Sequence, residues 1–234
     1  MTISSKAESP KMFDAISVRY DFLNRFLSLG MDDYWRRCMV RYLPKGEDLK
    51  VLDIGAGTAH VAVTLAQGCS RITSIIGIDL SEEMMNIGRE RIQQAGFSSK
   101  IILETADAQK LPFSEESFHA VTAGFALRNM PDLMAALIES YRVLFPGGKL
   151  IILELSRPES FLLAVFHTFY LKCVIPIFIS IFSRDVKAYE YLATTGMAFP
   201  SGDRFMKIIH QVGFNNVMRR KLCLGAMTIY VAEK

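Results

Sequence analysis

Two carboxylates and two glycines suggest the first piece of chemistry in this sequence. Lys50-Val51-Leu52-Asp53-Ile54 is a short apolar run that carries an acid, and Gly55 and Gly57 follow one residue apart, ahead of Thr58. Glycine lets the main chain turn sharply and lets a ligand approach it with no Cβ in the way. Val61, Val63, Leu65 and Ala66 then recur at a spacing that suits a helix. Strand, tight turn and helix start together form the ligand crevice of an open α/β sheet. A second apolar run, Ile75-Ile76-Gly77-Ile78, ends in Asp79. It lies about twenty residues beyond the glycines, where a carboxylate can take both hydroxyls of a ribose. Taken singly, the glycines could be an empty turn and Asp79 a solvent-facing strand end. At this separation the two together favour a nucleoside site.

The loop also says which nucleoside ligands are disfavoured. A pyrophosphate-binding turn needs G-x-G-x-x-G/A, and the third small position here is His60. No Gly-Lys-Ser/Thr follows, which excludes a phosphate-cradling P-loop. Asp53-x-Gly55-x-Gly57-Thr58 resembles motif I of the class I S-adenosylmethionine-dependent methyltransferases. Their donor carries no phosphate, so the loop only has to pass close to its amino-acid part, with acids receiving the ammonium. In such enzymes an acid or amide after the third strand meets the adenine amino group. Asp107 falls at that point, with Ala108 along the ring.

The elements that position these residues follow an alternating βα pattern. Helix 81–95 has Ser81 as a candidate N-cap and ends at Gly96, and strands are expected at 101–104, 117–123 and 150–154. Gly124 to Pro131 opens the fourth strand into a loop carrying Arg128 and Asn129, and a helix over 132–144 follows. Helix 202–212 closes at Gly213, and strands near 216–222 and 226–232 make a terminal hairpin. Residues 1–10 read as a disordered tail and 11–41 as a helical cap in two pieces, broken at Gly30 with Asp32 as a candidate cap residue. The cap is either plain packing or a lid that turns Tyr20, Asp21 and Asn24 toward the site.

Composition bounds the rest. At 234 residues the chain is expected to be a single domain, 1–234. A net charge of +3 does not suggest nucleic-acid binding, and four scattered cysteines without a CxxC pair argue against a metal site or disulfide framework. The polar N-terminus lacks an apolar signal core, so a cytoplasmic protein is expected. Phe161 to Phe182 is apolar enough to match a membrane helix, but His167, Lys172 and Pro176 interrupt it. A span would also strand the last strands across the membrane from their sheet. A helical insertion at 160–200 over the site, in contact with the bilayer surface at most, is the better reading.

Phe13-Asp14-x-Ile16 with Tyr20-Asp21 and Asn24, the glycine loop, Asp107-Ala108-x-x-Leu111-Pro112-Phe113, Phe125-x-Leu127-Arg128-Asn129 and Leu153-Glu154-x-Ser156-x-Pro158 together resemble the ubiquinone/menaquinone biosynthesis C-methyltransferases. The likeness covers nearly everything from Phe13 onward. It implies a Rossmann-like, doubly wound α/β sheet of class I methyltransferase type, mostly parallel, with an antiparallel C-terminal hairpin. It further implies S-adenosylmethionine held by Gly55, Gly57, Thr58, Asp79, Asp107 and Ala108, and a polyprenylated quinol, foremost demethylmenaquinol, as substrate. Tyr20, Asp21 and Asn24 are the expected substrate contacts. Arg128 is the expected phenolate or water-mediated base partner, with Asn129 as an orienter. Arginine is a poor direct base, and a plain ion pair of Arg128 with Asp14 or Asp21 is the rival reading. Self-association into a homo-oligomer stays open. The chain departs from the family pattern at Ala59-His60, where relatives commonly have Gly-Asp. It departs again at Gly124, where several carry a donor-contacting serine, and at Ala126, where glycine is common.

Overall fold

The computed structural model describes residue 6, residues 9–170, residue 173, residue 191 and residues 194–234. Two helices lead the chain, α1 (Ser9–Leu27) and α2 (Asp32–Val40), separated by a turn in which Leu29 and Gly30 both take positive φ. The expected break at Gly30 is present. The cap begins earlier than expected, because Ser9 and Pro10 already belong to α1; proline is tolerated in a first turn, whose N–H groups have no partner within the helix. The expected cap at Asp32 is not formed. Met31 holds that position without a side-chain bond, and Asp32 sits one residue inside, buried. There its carboxylate accepts from Arg36 Nη1 at 2.7 Å and Ser28 Oγ at 3.0 Å.

The sheet contains β1 (Leu49–Ile54), β2 (Ile72–Asp79), β3 (Ile101–Thr105), β4 (Phe118–Gly124), β5 (Leu144–Leu155), β6 (Asn215–Leu222) and β7 (Met227–Glu233), in the order β3-β2-β1-β4-β5-β7-β6. The first five strands pair in parallel, and β7 runs antiparallel to both β5 and β6. Parallel strands covered on both faces read as continuous apolar runs. β1 does so, with Val51, Leu52 and Ile54 fully buried. Between strands lie α3 (His60–Gly68), α4 (Glu82–Gln94), α5 (Leu133–Val143), α6 (Phe161–Phe169) and α7 (Asp203–Val212). One core layer packs Trp35, Met39, Leu65 and Ile92 of α2, α3 and α4 against the sheet; the other packs Leu137, Phe205 and Ile209 of α5 and α7.

The starts of α4 and α5 do follow the sequence signals. Ser81 Oγ accepts from Met84 N at 3.3 Å, and Asp132 Oδ1 accepts from Ala135 N at 3.0 Å. The strand order reverses between β1 and β4, and the crevice outside their carboxyl ends is where ligands bind in such sheets. Of the apolar insertion, the described part is α6, with Phe161, Leu162, Val165 and Phe169 exposed. The Tyr170 hydroxyl donates to Leu27 O at 2.8 Å, tying the end of α6 to the end of α1. Lys172, Pro176 and Leu192 lie outside the described residues. No described helix is long and apolar enough to cross a membrane.

One buried acid in β1 makes stability depend on pH. Thr122 Oγ1 donates to Asp53 Oδ1 at 2.7 Å, while Oδ2 has no partner. Burial pushes the Asp53 carboxyl up to about 7, against the Thr122 bond and with help from the Asp79 charge. Between about pH 4 and this raised value the native state holds a proton that the unfolded chain has released. Stability contributed here is therefore lost as pH rises across that window. Asp53→Asn keeps the acceptor for Thr122 and removes the titration. Its melting temperature is expected to gain on wild type as pH rises from 4 to 7, by the order of several degrees; parallel melting curves across that range would contradict it.

Candidate active site

The carboxyl ends of β1, β2 and β4 open into a cavity of about 360 Å³. Its wall begins with the glycine loop. Gly55 and Gly57 take φ of +65° and +50°, and Ala59 repeats the left-handed conformation at +60°. A Cβ on Gly55 would lie 2.4 Å from the Ala126 Cβ, so that position has no room for a side chain. Gly57 N–H donates to Asp79 Oδ2 at 2.8 Å and Ser81 N–H to Oδ1 at 3.0 Å. Asp79 is thereby locked between the loop and the start of α4, with lone pairs left for hydroxyl donors in the cavity. Burial raises its pKa, and the Ser81 and Gly57 amides only partly offset this.

The other nucleoside candidates share this wall. Asp107 Oδ1 accepts from both the main-chain N and the Nε2 of Gln109 at 2.9 Å, and Ala108 is buried beside it. Two acids that can accept from hydroxyl or amino groups, with a small apolar floor between them, form an arrangement that suits an adenosine. Thr58 lines the cavity too, but its hydroxyl donates away from it, to Asp21 Oδ1 at 2.8 Å.

The expected substrate residues separate. Tyr20 and Asn24 line the cavity; Asp21 does not. Helical spacing explains the split, because adjacent residues diverge by about 100° around a helix. Asp21 instead braces α1 to the glycine loop. Besides Thr58 it meets Arg91 Nη2 at 2.6 Å and His60 Nε2 at 3.4 Å, and Arg91 also donates to Thr58 O. Burial opposes ionisation of Asp21, but the bonds and charges of His60 and Arg91 prevail and hold its carboxyl far below the usual range. Asp14, on the same helix, accepts from Ser81 Oγ at 2.5 Å. Burial raises the Tyr20 phenol, while the Arg128 charge, a bond to Asn24 and the Arg36 charge pull the other way.

Arg128 and Asn129 lie in a 3-10 turn, Leu127–Asn129, directly after β4. Asn129 faces the cavity; Arg128 lies behind its wall. The Arg128 partner is neither Asp14 nor Asp21 but Glu154 of β5, at 2.6 Å with both side chains buried, and the same Nη1 donates to Phe125 O at 2.8 Å. Sequence spacing did not reveal this pair, because Glu154 reaches Arg128 only through the parallel pairing of β4 with β5. The cavity is also lined by Lys6, Arg36 and His60, none of which was given a role in the site from the sequence, although His60 stood out as a departure in the glycine loop. Arg36 had a signal, a charged residue inside the apolar face of α2. Lys6 fell in the stretch expected to be a tail.

The departure at Gly124 has a physical basis. A Cβ there would lie 2.5 Å from Val61 Cγ2, a methyl on a stiff β-branched side chain. Val61 thus occupies the space that a serine at 124 would need.

Strand order, terminal hairpin and acid-gripped glycine loop define the class I methyltransferase architecture. The chain belongs to the ubiE/COQ5 methyltransferase family, whose model matches residues 1–234. It is 39% identical to the ubiquinone/menaquinone biosynthesis C-methyltransferase UbiE of Geotalea daltonii, over 96% of this chain and 95% of that protein. It is 42% identical to the demethylmenaquinone methyltransferase of Bacteroides fragilis, over 96% and 91% respectively. Among solved structures, a SAM-dependent methyltransferase of Thermotoga maritima, described as a possible histamine N-methyltransferase, superposes with a TM-score of 0.66 at 23% identity, covering 96% of this chain and 99% of that one. The cyclase SpnF also reaches 0.66, at 16% identity over 100% and 97% of the two chains. At these identities the likeness is one of fold, and a fold hosts many activities.

Gly124→Ser is expected to destabilise the protein by about 1–3 kcal/mol through overpacking. Adding Val61→Ala should recover most of the loss, since residues in contact couple. Urea denaturation of the single and double variants measures both effects; additive losses would show that Val61 is not the obstacle.

Proposed function

We propose that the chain transfers a methyl group from S-adenosylmethionine to a ring carbon of a prenylated quinol, with demethylmenaquinol as the leading substrate. One observation carries this reading: a single cavity joins the acid-gripped glycine loop to Tyr20, Asn24 and Asn129 beneath α1. Family membership fixes the reaction class, and relatives named for menaquinone synthesis favour the naphthoquinol. The polyprenyl methoxy-benzoquinol of ubiquinone synthesis is the second reading, favoured by relatives whose name covers both quinones.

In this reading Asp79 accepts the ribose hydroxyls, Asp107 and Ala108 receive the adenine, and Gly55, Gly57 and Thr58 form the wall along the rest of the donor. S-Adenosylmethionine, when bound, supplies a methyl already activated by its sulfonium. The protein is left with alignment, worth roughly 7–11 kcal/mol when near-attack geometry is held, and with easing the ionisation of the quinol. Burial raises the Tyr20 phenol overall, but the charges of Arg128 and Arg36 act on it in the opposite sense and favour its anion. A quinol hydroxyl beside it would gain the same help, and fixed charges in a water-poor site act strongly on developing charge. Arg128 contributes its charge from behind the wall, held by Glu154, while Asn129, Tyr20 and Asn24 supply polar contacts that orient the ring. Asp21 serves the site by positioning Thr58 and His60.

Incubation with methyl-labelled donor and a panel of demethylated naphthoquinols and benzoquinols tests this. Label on the naphthoquinol ring carbon is expected, label on the benzoquinol alone would select the second reading, and transfer to neither would overturn both.

A prenyl tail also requires apolar surroundings. Val18, Phe22 and Leu29 of the α1 region and Phe161, Leu162, Val165 and Phe169 of α6 are exposed apolar side chains on helices joined through Tyr170. They support a role in shielding the tail and in peripheral contact with a bilayer, at the cytoplasmic face. In liposome co-sedimentation, Phe161→Glu with Leu162→Glu is expected to lower the bound fraction severalfold; equal partitioning of variant and wild type would sink the bilayer contact.

A further inference from the structure

Beyond the residues assigned to the nucleoside, the cavity wall carries three basic side chains: Lys6, Arg36 and His60. Lys6 Nζ is turned to Met130 O at 3.1 Å, beside the loop that follows β4. Arg36 and His60 come from α2 and α3. Arg36 is buried, and its bonds to Asp32 at 2.7 Å and Asp33 at 3.4 Å use Nη1 alone. Its Nε and Nη2 groups therefore have no partner among the described residues, in a side chain that lines the cavity. A guanidinium with free N–H groups in one plane matches a carboxylate.

His60 is the first residue of α3, next to the loop, where main-chain N–H groups and the helix dipole also favour an anion. Its Nε2 lies 3.4 Å from Asp21 Oδ1, and Nδ1 has no partner among the described residues. A protonated imidazole can thus give one N–H to Asp21 and keep the other for a ligand.

We propose that Arg36 and His60 bind the α-carboxylate of the methyl donor, and that His60 links donor affinity to pH. This rests on S-adenosylmethionine being the ligand of the cavity. A carboxylate pairs with the imidazolium, so affinity falls as pH rises through the imidazole titration, leaving Arg36 to hold the ligand alone. The charged groups around the imidazole are Asp21 from α1, Arg36 together with Asp33 and Arg37 from α2, and Arg91 from α4.

Two nucleosides distinguish the possibilities by calorimetry. S-Adenosylhomocysteine carries the carboxylate; 5′-methylthioadenosine has the same adenosine and sulfur without the amino-acid part. In wild type the affinity for S-adenosylhomocysteine should fall roughly ten-fold from about pH 6 to about pH 8, while that for methylthioadenosine stays level. In His60→Gln the slope should disappear for the first ligand and nothing should change for the second, with an unchanged melting temperature showing that the variant is folded. An equal slope in wild type and H60Q, or equal slopes for the two ligands, would overturn the proposal while leaving the donor site intact. If neither nucleoside binds wild type, the donor reading fails and the carboxylate site fails with it.

Discussion

The Asp79 carboxylate is the fixed point of this molecule. One oxygen takes the Gly57 amide and the other the Ser81 amide, so a single side chain at the end of β2 joins the turn after β1 to the first turn of α4. Glycine at positive φ is needed because the loop must bring its N–H groups inward without Cβ atoms intervening. The crevice exists because the connections leaving the neighbouring strands β1 and β4 run to opposite faces of the sheet, α3 to one core layer and α5 to the other. Asp79 gives the crevice its polar wall, a half-buried carboxylate held by two amides with lone pairs left facing the cavity.

A second constraint holds the roof to this floor. Asp21 gathers the Thr58 hydroxyl, the Arg91 guanidinium and the His60 imidazole, and Asp14 takes the Ser81 hydroxyl. These contacts link α1 to the glycine loop and to α4. Asp21 and Arg91 are each about a quarter exposed. The pair therefore falls between exposed pairs, worth about 0–1 kcal/mol, and fully buried ones whose breakage costs about 3–5 kcal/mol. With α1 fixed in this way, Tyr20 and Asn24 are presented to the cavity from the adjoining face of the same helix.

The Arg128–Glu154 pair divides support from contact within one tripeptide. Glu154 is fully buried and Arg128 nearly so, with Arg128 Nε lacking a partner. That pair fixes the turn after β4 and leaves Asn129 facing the cavity. A positive charge one layer behind a cavity wall still acts on phenols inside it, because little water intervenes to screen it.

The sequence by itself determined the element order, the helix starts at Ser81 and Asp132, the loop at Gly55 and Gly57 and the acid at the end of β2. All of these are set by local periodicity, by backbone freedom at glycine or by side chains that cap their own helix. Family motifs added Asp107, Ala108, Asn129, Tyr20 and Asn24, each of which lines the cavity. Tertiary structure alone decided what lies far apart in the chain. It gave Glu154 to Arg128, turned Asp21 away from the cavity toward Arg91, placed Asp32 inside its helix as the Arg36 partner, and filled the space beside Gly124 with Val61. An ion pair or a steric limit between distant segments depends on register and helix rotation, which packing of the whole chain sets and no short stretch of sequence encodes.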